Sequence, residues 1–139
     1  HVILVNNATL GGHVQVGEWG IIGGLSAIHQ FVRVGKHAMI GGMSGVEQDV
    51  IPYGSVTGNR ARLQGLNIVG LKRRSFSRDD IHEMRKAYRL IFAAEGTMAE
   101  RLEDVAEDFG NNEAVMDILQ FIRANTSRAI CQPAMDDAA

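Results

Sequence analysis

Residues 4–46 read LVNNATLGGHVQVGEWGIIGGLSAIHQFVRVGKHAMIGGMSGV, and every sixth position is aliphatic: Leu4, Leu10, Val16, Ile22, Ile28, Val34, Ile40 and Val46. A period of six matches neither the helical repeat nor the two-residue alternation of a strand. It is the spacing of hexapeptide repeats that wind into a parallel β-helix. Each aliphatic residue is expected to point inward at the centre of a very short strand. The next position holds Gly11, Gly17, Gly23, Gly35 and Gly41, with Val5, His29 and Glu47 as exceptions. Glycine there predicts a backbone that turns sharply after each strand, where a side chain would clash. The position four after the aliphatic residue is small or aliphatic throughout, from Ala8 and Val14 to Ser44 and Val50, as a narrow core requires.

Outward from this stretch the texture changes twice. Residues 1–56 are read as the β-solenoid, and Pro52 falls where the hexad asks for an aliphatic residue, so the coil is expected to end nearby. Residues 57–76, TGNRARLQGLNIVGLKRRSF, show no clear period and are read as a transition loop. Residues 77–130 switch to helical periodicity, predicting a small three-helix domain. Ser77 and Asp80 form a capping-box pattern, after which Ile81, Met84, Tyr88, Ile91 and Phe92 share one face. Thr97 and Glu100 open a second helix, and Gly110-Asn111-Asn112 separates it from a third that starts at Glu113. The tail 131–139, CQPAMDDAA, is expected to fray. The helices are expected to pack on the coil's side or end and so blunt exposed strand edges.

Composition narrows the function. The chain has 139 residues, is 45% hydrophobic and carries a formal net charge of −2. That supports a real core and predicts no general attraction to nucleic acid. No apolar run reaches the roughly 18 residues of a membrane span, and no signal peptide is visible. The single Cys131 cannot form an internal disulfide, which favours a reducing cytoplasm. The chain begins at His1, inside a repeat, and is read as the C-terminal part of a longer protein with earlier coils missing.

The chemistry-bearing residues are few. Lys72, Arg73, Arg74 and Arg78 lie within seven residues with no acid between them. They make either a solvated junction or an anion site, since an arginine fork matches phosphate oxygens. From residue 61 onward there are 13 acids against 11 bases and no recognition helix, which argues against DNA. His29 stands in a glycine slot beside Gln30. It is either tolerated variation at a corner or a ring on the outer surface, where a His-Gln pair suits sugar hydroxyls or an amide. His13 follows Gly11-Gly12 on a turn, where it can face solvent or a neighbouring subunit. His13, His29 and His37 do not repeat at the about 18-residue step of one coil, so no metal site is predicted. There is no Gly-x-Ser-x-Gly elbow and no Cys-His pairing. Glycine-rich stretches such as GIIGG are hexad corners, not phosphate loops. Asn6-Asn7 is unusual in a hexad and suggests an asparagine ladder or a ligand contact.

Taken together, NNATLGGHVQVG, IIGGLSAIHQFVRVG, IGGMSGVEQDVIPY, GNRA and NIVGLKRRSFS resemble the UDP-N-acetylglucosamine O-acyltransferases that begin lipid A synthesis. The resemblance spans nearly the whole chain, and HQF followed by NIxGLKRR is its specific part. It implies a left-handed parallel β-helix, a homotrimer with active sites between adjacent subunits, and a cytoplasmic enzyme without cofactor or metal. The implied partners are UDP-N-acetylglucosamine and an acyl carrier protein bearing an (R)-3-hydroxyacyl chain. That chain passes to the glucosamine 3-hydroxyl.

The family's general base is a histidine in a His-x-x-His-Asp segment just before NNAT, which would precede His1. No catalytic base is therefore assigned here, and the chain alone is expected to be inactive. By the same resemblance His13 helps bind substrate, and His29 and Gln30 lie near the sugar and acyl group. Asn67 and Arg73 hold the nucleotide end with Arg74 beside them, and Gly42 controls acyl length, its lack of a side chain favouring a longer chain. Val69 replaces an acid common in the family, and Arg60 replaces the histidine of GNHA. The rival readings are an N-acyl or acetyl-coenzyme A-dependent hexapeptide acyltransferase and a non-catalytic solenoid binding module.

Overall fold

The structure, a computed structural model, describes residues 1–124 and 128–134. Eight two-residue strands form the coil: β1 (Ile3–Leu4), β2 (Thr9–Leu10), β3 (Gln15–Val16), β4 (Ile21–Ile22), β5 (Ala27–Ile28), β6 (Arg33–Val34), β7 (Met39–Ile40) and β8 (Gly45–Val46). They stack in parallel as β1-β4-β7, β2-β5-β8 and β3-β6, the three walls of a left-handed β-helical prism. Residues meet their equivalents 18 positions on, as in Leu4 with Ile22 and Ile22 with Ile40. Ile22, Ile28, Val34, Ile40 and Val46 are buried, as the six-residue rhythm predicts. Leu4, in the first of these coils, is 53% exposed.

The corners work differently from the sequence expectation. Gly11, Gly17, Gly23 and Gly35 do not have positive φ. A Cβ on any of them would lie 2.3–2.6 Å from the backbone nitrogen of the next coil. Glycine therefore stands there because coils approach too closely for a side chain. The left-handed turn falls two residues later, on Asn7, His13, Trp19, Leu25, Phe31, His37, Met43 and Tyr53, at φ between 58° and 65°. Apart from Tyr53, which is buried in the core, these side chains point away from it, so the strained corner positions carry most of the rings. Asn7 takes one of these turns rather than forming a ladder. The inward corner position is filled by small residues: Ser26 and Ser44 are buried, and both hydroxyls donate to the Gly41 carbonyl, at 2.9 and 2.6 Å.

The step then shortens. Ile28 pairs 18 residues ahead with Val46, but Val34 pairs with Val50 and Ile40 with Val56, each 16 ahead. Two residues have dropped out between Val46 and Val50, which explains why Pro52 fails the hexad count. The span read as a transition loop is largely regular. Strand β9 (Gly54–Thr57) extends the first wall and turns antiparallel into β10 (Arg62–Leu66), followed by helix α1 (Ile68–Arg73). These pieces are too short to show a period in sequence.

Three further helices follow: α2 (Arg78–Ile91), α3 (Met98–Phe109) and α4 (Glu113–Arg123). Each has a side-chain N-cap: Ser77 accepts from the Asp80 N–H, Thr97 from Glu100 and Asn112 from Val115. Their apolar faces meet at Met84, Ile91, Val105, Val115, Ile118 and Leu119, all buried.

The helices are bolted to the solenoid by polar contacts. Fully buried Asp49 accepts from the Arg33 backbone N–H and Nε, and the same guanidinium lies 3.9 Å over the Phe121 ring of α4. Asp117 of α4 accepts from the Tyr53 hydroxyl at 2.7 Å and pairs with Lys36 at 2.9 Å.

The tail expected to fray from residue 131 is tied down over its described part. Ile130 bridges Asp49, Pro133 bridges Leu63, and Cys131 is 1% exposed. The shortened coil leaves backbone groups of Asp49 and Leu63 without a neighbouring coil. The tail supplies it: Asp49 N–H donates to Ala129, Cys131 N–H to Asp49, and Leu63 N–H to Gln132. Residues 135–139 lie outside the described residues.

Candidate functional site

The prism has three edges. The first lies between β1 and β2, β4 and β5, and β7 and β8. The second lies between β2 and β3 and between β5 and β6. The third lies between β3 and β4, between β6 and β7, and before β9. Helix α1 runs beside the third edge and, with the first wall, encloses a cleft of about 530 Å³. Trp19, His37, Asn67, Val69, Arg73 and Arg74 line it, and Ile21, Met39 and Ser55 face it from the strands.

Helix α1 is set by one asparagine. The Asn67 Oδ1 accepts from the Gly70 N–H at 3.1 Å and caps the helix, while its Nδ2 donates to the His37 carbonyl at 2.9 Å. The amide thus fastens the helix to the third edge. A Cβ on Gly70 would fall 2.3 Å from that Nδ2, so Gly70 makes room for the cap. The fastened helix turns Arg73 and Arg74 into the cleft, whereas Lys72 and Arg78 line a separate groove on its other side. The basic cluster read as one unit is therefore split.

Aliphatic side chains line much of the cleft, and rings and cations stand among them. His1 stacks on Trp19 at 4.3 Å, and the Arg74 guanidinium lies 3.6 Å over the Trp19 ring. His37 stacks on Tyr53 at 5.2 Å, with Phe76 edge-on at 5.8 Å. Burial holds the His37 imidazole below its usual range, and Lys36 and Arg74 press the same way against the weaker pull of Glu18 and Asp117. Burial, then the hydrogen bond to Asp117, pushes the Tyr53 hydroxyl up, so it stays a donor. Among the described residues no carboxylate lines the cleft, and Val69 is 60% exposed there. Such a site suits an anion joined to a flat ring.

The remaining candidates lie elsewhere. His13, His29 and Gln30 are exposed on the second edge, with His13 stacked on Phe31 at 4.7 Å. His29 Nδ1 is 2.6 Å from the Arg128 guanidinium. His29 replaces glycine where the next coil has lost its two residues. Gly42 is exposed on the first edge, beside Met43. Arg60 pairs with Glu47 at 3.0 Å. One chain thus gathers Asn67, Arg73 and Arg74 but spreads the other candidates over two further edges.

Trp19, His37, Tyr53 and Arg128 were not among the sequence candidates for binding. His1, Trp19 and His37 are 18 apart, one coil, so the ring ladder was legible as rings at the coil period. Arg128 had no such signal, because its partner is 99 residues away. Among the described residues no three His, Cys, Asp or Glu side chains gather closely enough to hold a metal ion. Nor is any described helix long and apolar enough to cross a membrane.

The family described as UDP N-acetylglucosamine O-acyltransferase, domain 2, matches residues 49–131. The acyl-[acyl-carrier-protein]–UDP-N-acetylglucosamine O-acyltransferase of Caulobacter vibrioides is 56% identical over 132 residues, 95% of this chain and 50% of that protein. The protein of the same description from Agrobacterium fabrum is 45% identical, over 96% of this chain and 49% of its own length. Among solved structures, the Francisella novicida UDP-N-acetylglucosamine acyltransferase superposes at a TM-score of 0.90 with 30% identity, covering 99% of this chain and 50% of that one. The Arabidopsis UDP-N-acetylglucosamine acyltransferase gives 0.89 with 40% identity, covering 94% and 49%. The chain spans about half the length of the curated relatives it matches in full. The fold is shared with these solved structures along nearly the whole chain, and the chain belongs to the UDP-N-acetylglucosamine O-acyltransferase family.

Proposed function

We propose that this chain forms the nucleotide-binding wall and part of the sugar- and acyl-side wall of an enzyme of lipid A synthesis. That enzyme moves an (R)-3-hydroxyacyl chain from acyl carrier protein to the 3-hydroxyl of UDP-N-acetylglucosamine. The glucosamine oxygen forms an ester bond to the thioester carbonyl, the carbon–sulfur bond breaks, and the carrier's thiol departs. A histidine base takes the hydroxyl proton and returns it to the sulfur. This base belongs to the His-x-x-His-Asp segment that precedes NNAT in the family.

The observation that carries the reading is the cleft in which α1 presents Arg73 and Arg74 against stacked rings, with no carboxylate among the described residues that line it. It suits a nucleoside diphosphate: paired guanidiniums for phosphate, ring faces for a base. Binding energy there positions the distant 3-hydroxyl. Asn67 acts mainly by holding α1. His13, His29 and Gln30 meet the sugar and acyl group across a homotrimer interface, and Gly42 leaves space for a longer acyl chain. The carrier docks at the groove behind α1, where Lys72, Arg78, His82 and Arg85 surround Ile68 and Phe76, with Asp79 the one acid among the described lining residues. An acidic carrier protein complements that charge. The proteins it resembles carry the O-acyltransferase description, so the N-acyl, acetyl-coenzyme A and scaffold readings are not favoured.

Calorimetry with UDP-N-acetylglucosamine tests the reading. The chain is expected to bind it, and Arg73→Ala to weaken binding about tenfold or more, as for loss of a charged hydrogen bond. Unchanged affinity in Arg73→Ala removes the nucleotide site. Acyl carrier protein titrated in parallel should lose affinity in an Arg78→Glu, Arg85→Glu double variant while UDP-N-acetylglucosamine binding is retained.

A further inference from the structure

We infer that Arg128 is a positioning residue that holds His29 as a single tautomer, with its Nε2–H presented to the substrate. The Arg128 terminal nitrogen lies 2.6 Å from the His29 Nδ1. A guanidinium has only donors and stays charged in a protein, so the ring nitrogen it meets must supply a lone pair. The hydrogen of the uncharged ring then sits on Nε2. The Gln30 carbonyl also lies near Nδ1, at 3.4 Å, and would favour the opposite tautomer by accepting a hydrogen from it. The two contacts compete, and the shorter, charge-assisted one wins.

The position of Arg128 does not depend on this contact. The neighbouring Ala129 carbonyl accepts from Asp49 N–H at 2.8 Å, and Cys131 N–H donates to the Asp49 carbonyl at 2.8 Å. Buried Asp49 is itself bound to Arg33. The tail is thus strapped to the shortened coil by backbone bonds, at the edge where His29 replaces glycine. The last described segment of the chain thereby sets the chemistry of a residue in its repeat. The consequence deepens the acyltransferase reading and rests on it: His29 donates a hydrogen bond to an oxygen of the sugar or acyl group, and its outward nitrogen has no lone pair with which to act as a base.

Long-range nitrogen–proton NMR of the histidine rings tests the tautomer without substrate, with His29→Gln used for assignment. In the wild-type chain, Nδ1 should appear as the bare nitrogen and Nε2 as the protonated one. Arg128→Ala should move the signals toward a mixture of both forms, and Arg128→Lys, which keeps a charged donor, should restore part of the wild-type pattern. Continued protection of the Cys131 thiol from a labelling reagent in each variant shows that the tail is still docked. A wild-type ring with hydrogen on Nδ1, or a spectrum indifferent to Arg128→Ala, overturns the inference. In the full-length protein, Arg128→Ala should lower kcat/KM about tenfold, with little further loss when His29→Ala is added. Additive losses overturn the coupling. Absence of acyl transfer by the full-length wild type counts against the proposed function and leaves the tautomer measurement standing.

Discussion

Glycine at Gly11, Gly17, Gly23 and Gly35 is dictated by distance, not by dihedral angle. The Cβ of Gly23→Ala would lie 2.5 Å from the Gly42 nitrogen and 2.6 Å from the Ile40 carbonyl oxygen, both backbone atoms that cannot step aside. That substitution is expected to cost about 1–3 kcal/mol, as overpacking does, read from the urea midpoint. Gly12 has nothing within 4 Å of its missing Cβ, so Gly12→Ala should change stability by less than about 0.5 kcal/mol. A second residue-scale effect is titration. His37 is held below its ordinary value of 6.5. The unfolded chain therefore binds more protons between the folded value and 6.5, so stability falls as pH drops through that window. Above 6.5 the residue contributes no pH dependence. Comparing urea midpoints at about pH 7.5 and about pH 5.5, His37→Asn should show a smaller acid loss than wild type.

Helix α1 illustrates how an element is held. At six residues it is too short to persist alone. It stands because Asn67 caps it and ties it to the His37 carbonyl, and because Leu71 is fully buried. Asn67→Ala should therefore cost about 0.5–2 kcal/mol. It should also weaken UDP-N-acetylglucosamine binding by letting Arg73 and Arg74 move. Gly70→Ala should reproduce the binding loss by pushing Asn67 out of its cap. In calorimetry, Gly70→Ala binding as tightly as wild type would show that the cap does not place the arginines. The other helices were readable beforehand, since their caps and apolar spacing repeat over three turns or more. Strand β10 and α1 were not, because two turns or less of pattern cannot be told from a loop.

The molecule as a whole divides its candidate residues among three prism edges, so under the proposed function a complete site draws on more than one copy. The edges of a triangular coil diverge, and nothing within one chain can fold Gly42 or His29 around to Arg73. In the full-length protein, trimers assembled from Arg73→Ala and His29→Ala subunits should recover part of the acyltransferase activity that each variant lacks alone. Recovery no greater than in the pure variants would place all the contributors on one subunit.

The sequence by itself determined the solenoid, its inward residues, the capped helices and the family, because each is written in a local repeat or a run of specific residues. His13, His29, Gln30, Arg73 and Arg74 stood out as residues and took their roles from the resemblance, while Asn67 and Gly42 were named by resemblance alone. Only the tertiary structure decided that Asn67 works as a cap and that the arginines part company with Lys72. It alone showed that the rings of successive coils stack beside them, and that the tail closes the shortened coil and reaches His29. Most of those facts depend on contacts between residues distant in sequence, such as Asn67 with His37 and Arg128 with His29, which no local pattern reports.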